Sequence, residues 1–171
     1  MKFQIEDYIR DIPDFPKKGI VFKDITPLLA DAQALKNTLQ LLLDGVPGKI
    51  DKVVGIEARG FFFGTLLAEH LDAGFVPVRK KGKLPYSTYD ETYDLEYGTD
   101  SLSMHIDAIK KGEKVLIHDD VLATGGTAKA VVKLVEKAGG EVVMLNFLIE
   151  LKFLHGRDKL NNYKIYSLLQ Y

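Results

Sequence analysis

Cysteine is absent from the 171 residues. No disulfide can staple this chain, and no thiolate can hold a metal. Histidine occurs only four times, as His70, His105, His118 and His155. No two of them stand in HxH or HxxxH spacing, so a histidine-built metal site is not expected. No stretch reaches the roughly 18 apolar residues of a membrane span. The opening MKFQIED brings acidic residues in before any apolar run, unlike a signal peptide. An excess of one charge is missing too: 23 basic and 24 acidic side chains leave a net −1. That balance argues against bulk attraction to nucleic acid or to an anionic membrane, so any basic site must be local. The expectation is a soluble, cytoplasmic protein with neither nucleic acid nor membrane as a partner.

Repeats, low-complexity tracts and linkers are also missing. What remains is ordinary globular usage, 46% hydrophobic and 27% charged, in a length that suits one domain, 1–171. Residues 3–10 read as a short amphipathic helix. Pro13 and Pro16 then impose an extended path from Ile12 to Gly19. Asp31 is an N-cap candidate for a helix to about Asp44, with Leu35, Leu39 and Leu42 as its apolar stripe and Gly45 as its stop.

From Lys52 onward, strands and helices alternate. Lys52–Ile56 (KVVGI) is a β-branched run, Gly60–Leu71 an apolar helix, and Gly74–Val78 a second strand. Residues 80–98, with Gly82, Pro85, Gly98 and several tyrosines, read as a long loop with little core. Ser101–Ile106 and Lys114–Ile117 follow as strands. Thr127–Ala138 is a helix with Ala128, Val131, Val132 and Val135 on one face. Glu141–Ile149 and Ile165–Leu168 complete the strands. This alternation predicts an α/β fold with a central, mostly parallel sheet flanked by helices. Right-handed crossovers place the post-strand loops along one carboxyl edge, where ligands bind. The segments 57–60, 79–83 and 119–127 all follow strands and should converge there.

The segment VLIHDDVLATGGT (115–127) is the most informative. A buried strand delivers two adjacent carboxylates, Asp119 and Asp120. Val121 and Leu122 follow, and then Ala123, Thr124, Gly125, Gly126 and Thr127 open a helix. Small residues let the backbone approach an anion closely. The helix start offers unpaired N–H groups and the positive end of the macrodipole. The two threonines add hydroxyl donors. No GK[ST] follows the glycines and no GxGxxG is present, so neither a Walker loop nor a dinucleotide fingerprint is formed. Carboxylates beside a phosphate cradle suit a ribose phosphate, with the diol on the acids and the 5′-phosphate on the amides. The alternative is a surface turn before a threonine-capped helix, which Asp-Asp or Gly-Gly alone would favour.

That segment resembles the phosphoribosyl-pyrophosphate (PRPP) motif of the type I phosphoribosyltransferases. The resemblance spans nearly the whole chain and points to members acting on adenine. It is carried by PDFPKKGIVFKDITPLL (13–29), GIEARGFFFG (55–64), VRKKGKLP (78–85), YDLEYG (93–98) and YSLLQY (166–171), of which LEYG and SLLQY are the specific parts. It implies the fold of that family, with a small N-terminal hood mainly in 1–30 and a flexible active-site loop.

Within this frame, Ala58 and Arg59 resemble the pyrophosphate loop, Arg59 offering the planar donor fork that phosphate oxygens match. A strand-end Glu57–Arg59 ion pair is the alternative. Arg79, Lys80 and Lys83 resemble further pyrophosphate ligands, while Lys81 can be a solvated surface charge. Tyr86–Gly98 would be a lid that excludes water from an activated ribosyl centre. The same resemblance assigns Tyr97 to PRPP binding and catalytic roles to Glu96 and Arg59. Glu96 could carry the proton that adenine loses, if burial raises its pKa; an exposed loop glutamate is the other reading. Val21, Phe22 and Lys23 are assigned to adenine, Phe22 by stacking unless it is plain core. Val121 and Leu122 would form the facing wall. Some relatives carry arginine where Lys23 stands, so a guanidinium contact there would be lost. His118 reads as a strand residue, not a catalyst.

The resemblance implies transfer of phosphoribose from PRPP to adenine, giving AMP and pyrophosphate. Mg²⁺ would be held mainly by PRPP, pyrophosphate and water, with no direct protein ligand. A homodimer is implied. The rivals are a phosphoribosyltransferase for another purine base, a non-catalytic PRPP-binding regulator, and a nucleotide-binding interaction module. A DNA-binding regulator would need a basic face and a recognition helix, and neither is visible.

Overall fold

A computed structural model describes residues 3–95 and 98–171. It divides into two compact units, Met1–Asp44 and Gly45–Tyr171. No helix among the described residues is long and apolar enough to cross a membrane.

In the N-terminal unit the helix expected across residues 3–10 is only a 3-10 turn, Ile5–Tyr8. Strand β1 (Arg10–Pro13) follows and pairs antiparallel with β2 (Val21–Asp24), setting Ile12 opposite Phe22. The prolines stop a helix from propagating, and pairing with β2 satisfies backbone groups that a helix would otherwise use. The connecting loop closes where Asp14, in the left-handed region at φ 57°, accepts the Gly19 N–H at 2.7 Å. A five-residue helix, α1 (Thr26–Ala30), comes next, with Pro27 in its first turn. Helix α2 (Ala32–Asp44) matches expectation: Asp31 Oδ1 accepts from the amides of Gln33 at 3.0 Å and Ala34 at 2.8 Å. Its buried residues are Ala34, Thr38, Leu39 and Leu42, with Leu35 only half-buried.

The C-terminal unit begins with β3 (Lys52–Ile56), α3 (Gly60–His70) and β4 (Gly74–Lys80). Residues 80–98 are not the single loop expected, because Thr88–Asp94 forms β5, antiparallel to β6 (Thr99–His105). Thr and Tyr favour a pleated strand, and Tyr89 and Tyr93 pack on the core from it. The chain continues through β7 (Lys114–Leu122), α4 (Gly126–Lys137), β8 (Glu141–Glu150), two 3-10 turns over 152–160, and β9 (Ile165–Gln170).

These strands form one seven-stranded sheet in the order β5-β6-β4-β3-β7-β8-β9. The pairs from β4 to β9 are parallel, and only the β5–β6 arm is antiparallel to its neighbours. The crossover β3–α3–β4 steps one way along the sheet, and β7–α4–β8 steps the other. Right-handed crossovers in opposite directions put α3 and α4 on opposite faces. Leu116, Ile117, Leu145 and Phe147, at most 1% exposed, fill the middle of the core. Each contributes about 1.5–3 kcal/mol of burial. The direction of winding reverses between β3 and β7, so a crevice opens beyond their carboxyl ends.

Candidate active site

Both strands at that reversal end in chemistry. Pairing of Gly55 with His118 brings Glu57–Gly60 beside Asp119–Asp120. The approach is close: a Cβ on Gly60 would lie 3.0 Å from Asp119 Oδ1 and from the His118 carbonyl oxygen. Ala58, Arg59, Lys80, Asp119, Asp120, Val121, Ala123 and Thr127 line one cavity of about 360 Å³, so eight of the expected positions meet there. Ile56, Asp100 and Leu102, not singled out from sequence, complete its wall with Glu57 and Tyr93, to which the sequence assigns no ligand role of their own. Leu122, Thr124 and Gly125 line an adjoining hollow of about 70 Å³, which shares Asp119, Val121, Ala123 and Thr127 with the cavity.

The loop from Ala123 to Thr127 has the shape of an anion cradle. Gly125 sits at φ 79°, a left-handed conformation that glycine adopts without strain, and no side chain caps the helix that follows. The first helical bond runs from the Lys129 N–H to the Gly125 carbonyl at 3.0 Å. The preceding amides are therefore not consumed by helix bonding and are available to an anion.

The carboxylate pair is unusual in its electrostatics. Burial, and the neighbouring charge of Asp120, hold the Asp119 carboxyl well above the usual range, while Arg59 pulls it down. Burial also raises Asp120, opposed by Arg59, whose Nε lies 2.8 Å from Asp120 Oδ2. Asp119 Oδ1 accepts the Asp120 N–H at 2.8 Å. Both acids are thus poised to gain from hydroxyl donors that favour their ionised form. Behind them His118 is fully buried, with Nδ1 2.6 Å from Asn146 Oδ1. Burial drops its pKa to about 4, so the imidazole is neutral near pH 7, and it stands within β7, the strand position expected of it.

The basic cluster is organised by Glu57, a residue considered in the sequence only as a partner for Arg59. Glu57 Oε1 accepts from Lys83 Nζ at 2.6 Å and from Arg79 Nη2 at 3.1 Å, and Oε2 accepts the Lys80 N–H at 2.8 Å. Burial would raise this carboxyl, yet these donors bring it down from 4.5 to about 2. Lys80 Nζ lies 3.3 Å from Asp100, and Lys81 Nζ lies 3.2 Å from Asp90. A cis peptide joins Glu57 to Ala58. Gly126 faces the β5 strand, where a Cβ would stand 3.5 Å from the Tyr93 ring.

Three of the five positions expected to meet adenine, Val21, Phe22 and Lys23, belong to the N-terminal unit. Phe22 packs edge-on against Phe15 with ring centroids 5.2 Å apart, and Lys23 Nζ bonds Asp11 Oδ1 at 2.7 Å. Val21 is 49% exposed, which suits a surface able to meet a ligand. Glu96 and Tyr97 lie outside the described residues. Glu57 and Asp100 could have been found from sequence only through pairing: Lys80 sits opposite Leu102 in the β4–β6 register, which carries Asp100 to the same rim.

A parallel α/β sheet sets a carboxylate pair before a helix-opening loop of small residues, with Arg59 and Lys80 on the same cavity, the donor and acceptor set that a sugar phosphate or pyrophosphate would need. Residues 23–167 match the phosphoribosyl transferase domain. An adenine phosphoribosyltransferase of Christiangramia forsetii is 64% identical over 169 residues, covering 98% of this chain and 99% of that protein. The crystal structure of the Rhodothermus marinus adenine phosphoribosyltransferase is 58% identical with TM-score 0.94, over 98% of this chain and 96% of that one. The Saccharomyces cerevisiae enzyme, crystallised with an imino-altritol bisphosphate and adenine, is 42% identical with TM-score 0.89, over 95% of each chain. This chain belongs to the phosphoribosyl transferase family.

Proposed function

We propose that this protein transfers phosphoribose from PRPP to adenine, giving AMP and pyrophosphate. The observation that carries the reading is the amide loop Ala123–Thr127, two residues beyond Asp119–Asp120 on the edge of one cavity. The nearly full-length likeness to adenine phosphoribosyltransferases supplies the base and the enzyme class.

In this reading the 5′-phosphate rests on the amides and hydroxyls of residues 123–127, and the ribose diol on Asp119 and Asp120. Arg59, Arg79, Lys80 and Lys83, with the Ala58 backbone, hold the pyrophosphate as negative charge grows on it. Glu57 keeps Arg79 and Lys83 aimed before substrate arrives, so their positioning is not left to the reaction step. The anomeric carbon passes through an oxocarbenium-like state, as in glycoside cleavage. The same likeness assigns Tyr97 to PRPP, and Glu96 receives the proton lost by adenine. Val21, Phe22 and Lys23, and separately Val121 and Leu122, are assigned to the base. The cavity wall offers carboxylate and hydroxyl oxygens and no imidazole, which fits a hard cation brought in on PRPP. When bound, Mg²⁺ would neutralise charge on the pyrophosphate, held mainly by PRPP, pyrophosphate and water rather than by a protein side chain. A homodimer in the cytoplasm completes the proposal.

The test is a competition assay with PRPP and magnesium, in which adenine, hypoxanthine, guanine and xanthine compete. Adenine should be consumed with matching release of AMP and pyrophosphate. Preference for a 6-oxopurine overturns the choice of base, and PRPP binding without turnover overturns the enzyme.

A further inference from the structure

The loop Ala123–Thr127 has a back wall whose residues line neither the cavity nor the adjoining hollow. After β8, the Leu151 N–H donates to the Leu122 carbonyl at 2.9 Å, and the chain turns through His155, left-handed at φ 53°, into Gly156. Gly156 is buried directly behind Ala123–Gly125. A Cβ on Gly125 would run into the Gly156 carbonyl oxygen, and one on Gly156 would run into the Ala123 carbonyl oxygen. The Gly156 methyl would also stand 3.0 Å from Leu122 Cδ1 and 3.1 Å from the Gly125 nitrogen. Two stretches of backbone are therefore in contact with no side chain between them.

A strong clamp fixes this contact. Arg157 donates through Nε to Glu150 Oε1 at 2.6 Å and through Nη2 to Glu150 Oε2 at 2.7 Å. The Ser167 hydroxyl donates to the same Oε2 at 2.6 Å. Glu150 is 4% exposed and sits opposite Leu122 in the β7–β8 register. Leu160, 1% exposed, anchors the far end of the segment in the core. Such a two-pronged Arg–carboxylate pair sets direction as well as distance. Neither Glu150 nor Arg157 lines the cavity or the hollow beside it.

We infer that Glu150 and Arg157 are positioning residues for sugar-phosphate binding, acting through Gly156 to hold the amide loop in its anion-binding shape. The inference rests on the assignment of that loop to the 5′-phosphate. It separates two halves of the substrate. PRPP and AMP both carry the 5′-phosphate, whereas pyrophosphate does not.

The experiment measures KM for PRPP in the forward direction, and for AMP and pyrophosphate in the reverse, for Gly156→Ala, Arg157→Met, Arg157→Lys and Thr127→Ala. Gly156 has no left-handed φ, so alanine there acts through its contacts with Ala123, Leu122 and Gly125. Gly156→Ala and Arg157→Met should raise KM for PRPP and AMP on the order of tenfold, with pyrophosphate changed less than about twofold, because loop shifts well under 1 Å matter at such sites. Arg157→Lys keeps the charge but lacks the fork, and should recover only part of the loss. KM does not depend on the fraction of enzyme that is folded, so lost stability alone cannot imitate this pattern. If Thr127→Ala raises both constants while Gly156→Ala and Arg157→Met leave them at wild-type values, the cradle stands and the buttress is overturned. If Thr127→Ala changes neither, the cradle assignment itself falls.

Discussion

Replacing Glu57 by Gln removes the negative charge that Arg79 and Lys83 share, while keeping an oxygen to accept the Lys80 amide. Burial opposes ionisation of Glu57, yet its donors bring the carboxyl from 4.5 to about 2. Taken at face value, at about 1.36 kcal/mol per pKa unit, this is about 3 kcal/mol of stability. The side chains of Arg79 and Lys83 are 35% and 48% exposed, so solvent screens the contacts. A stabilisation of roughly 1–2 kcal/mol is the realistic share. The sign follows from the lowered value: the contribution is complete above pH 4.5 and drains away as pH falls toward 2. Urea unfolding should therefore show wild type ahead of Glu57→Gln by roughly 1–2 kcal/mol at pH 7. The gap should narrow steadily below about pH 4.5. A gap of the same size at pH 3.5 as at pH 7, or no gap at neutral pH, would refute the account of Glu57 as the organiser of the basic cluster.

The carboxylate pair gives the opposite sign. Because burial and Asp120 raise Asp119, its ionised form costs stability above its folded pKa. Asp119→Asn should raise the melting temperature at pH 7, with the benefit shrinking as pH falls, while kcat/KM for PRPP drops on the order of 10–100-fold. A variant both less stable and fully active would contradict this. Gly125→Ala combines a left-handed φ of 79° with a collision against Gly156. It should lose roughly 2–5 kcal/mol in chemical denaturation; a loss under about 1 kcal/mol would mean the loop relaxes freely. Glu96→Gln should lower turnover more than it weakens adenine binding, and equal losses in steady-state assays would remove Glu96 as the proton carrier.

Much of the fold can be read from the chain because its strands are buried on both faces. Lys52–Ile56 stands where KVVGI predicts it, and α4 and β8 differ from expectation only at their ends. Strand β7 instead runs on past Ile117 to Leu122 and carries Asp119–Leu122 within the strand. The misses have physical causes. Residues 3–10 carry helical spacing, but the prolines that follow and the pairing of β1 with β2 outweigh it. Thr88–Asp94 looks like loop because its residues are polar; its strand character comes from β6, which no local pattern reveals. At the site, the cradle and carboxylates are legible because they are contiguous. Glu57 as a hub, Asp100, and the Glu150–Arg157 clamp depend on register between distant strands. No run of residues announces them.

The sheet has two rims with different duties. Strands that end at the cavity start from the other rim, where turns pass through Gly112 and Gly139 and the Gly112 N–H bonds the Gly139 carbonyl at 2.8 Å. That rim carries none of the residues assigned to chemistry. A loop there can double in length for about 0.6 kcal/mol, whereas at the far rim a single methyl on Gly125 collides with backbone. A tag, fluorophore or inserted domain therefore belongs at the turns that launch the strands, on the side of the sheet that faces away from the reaction.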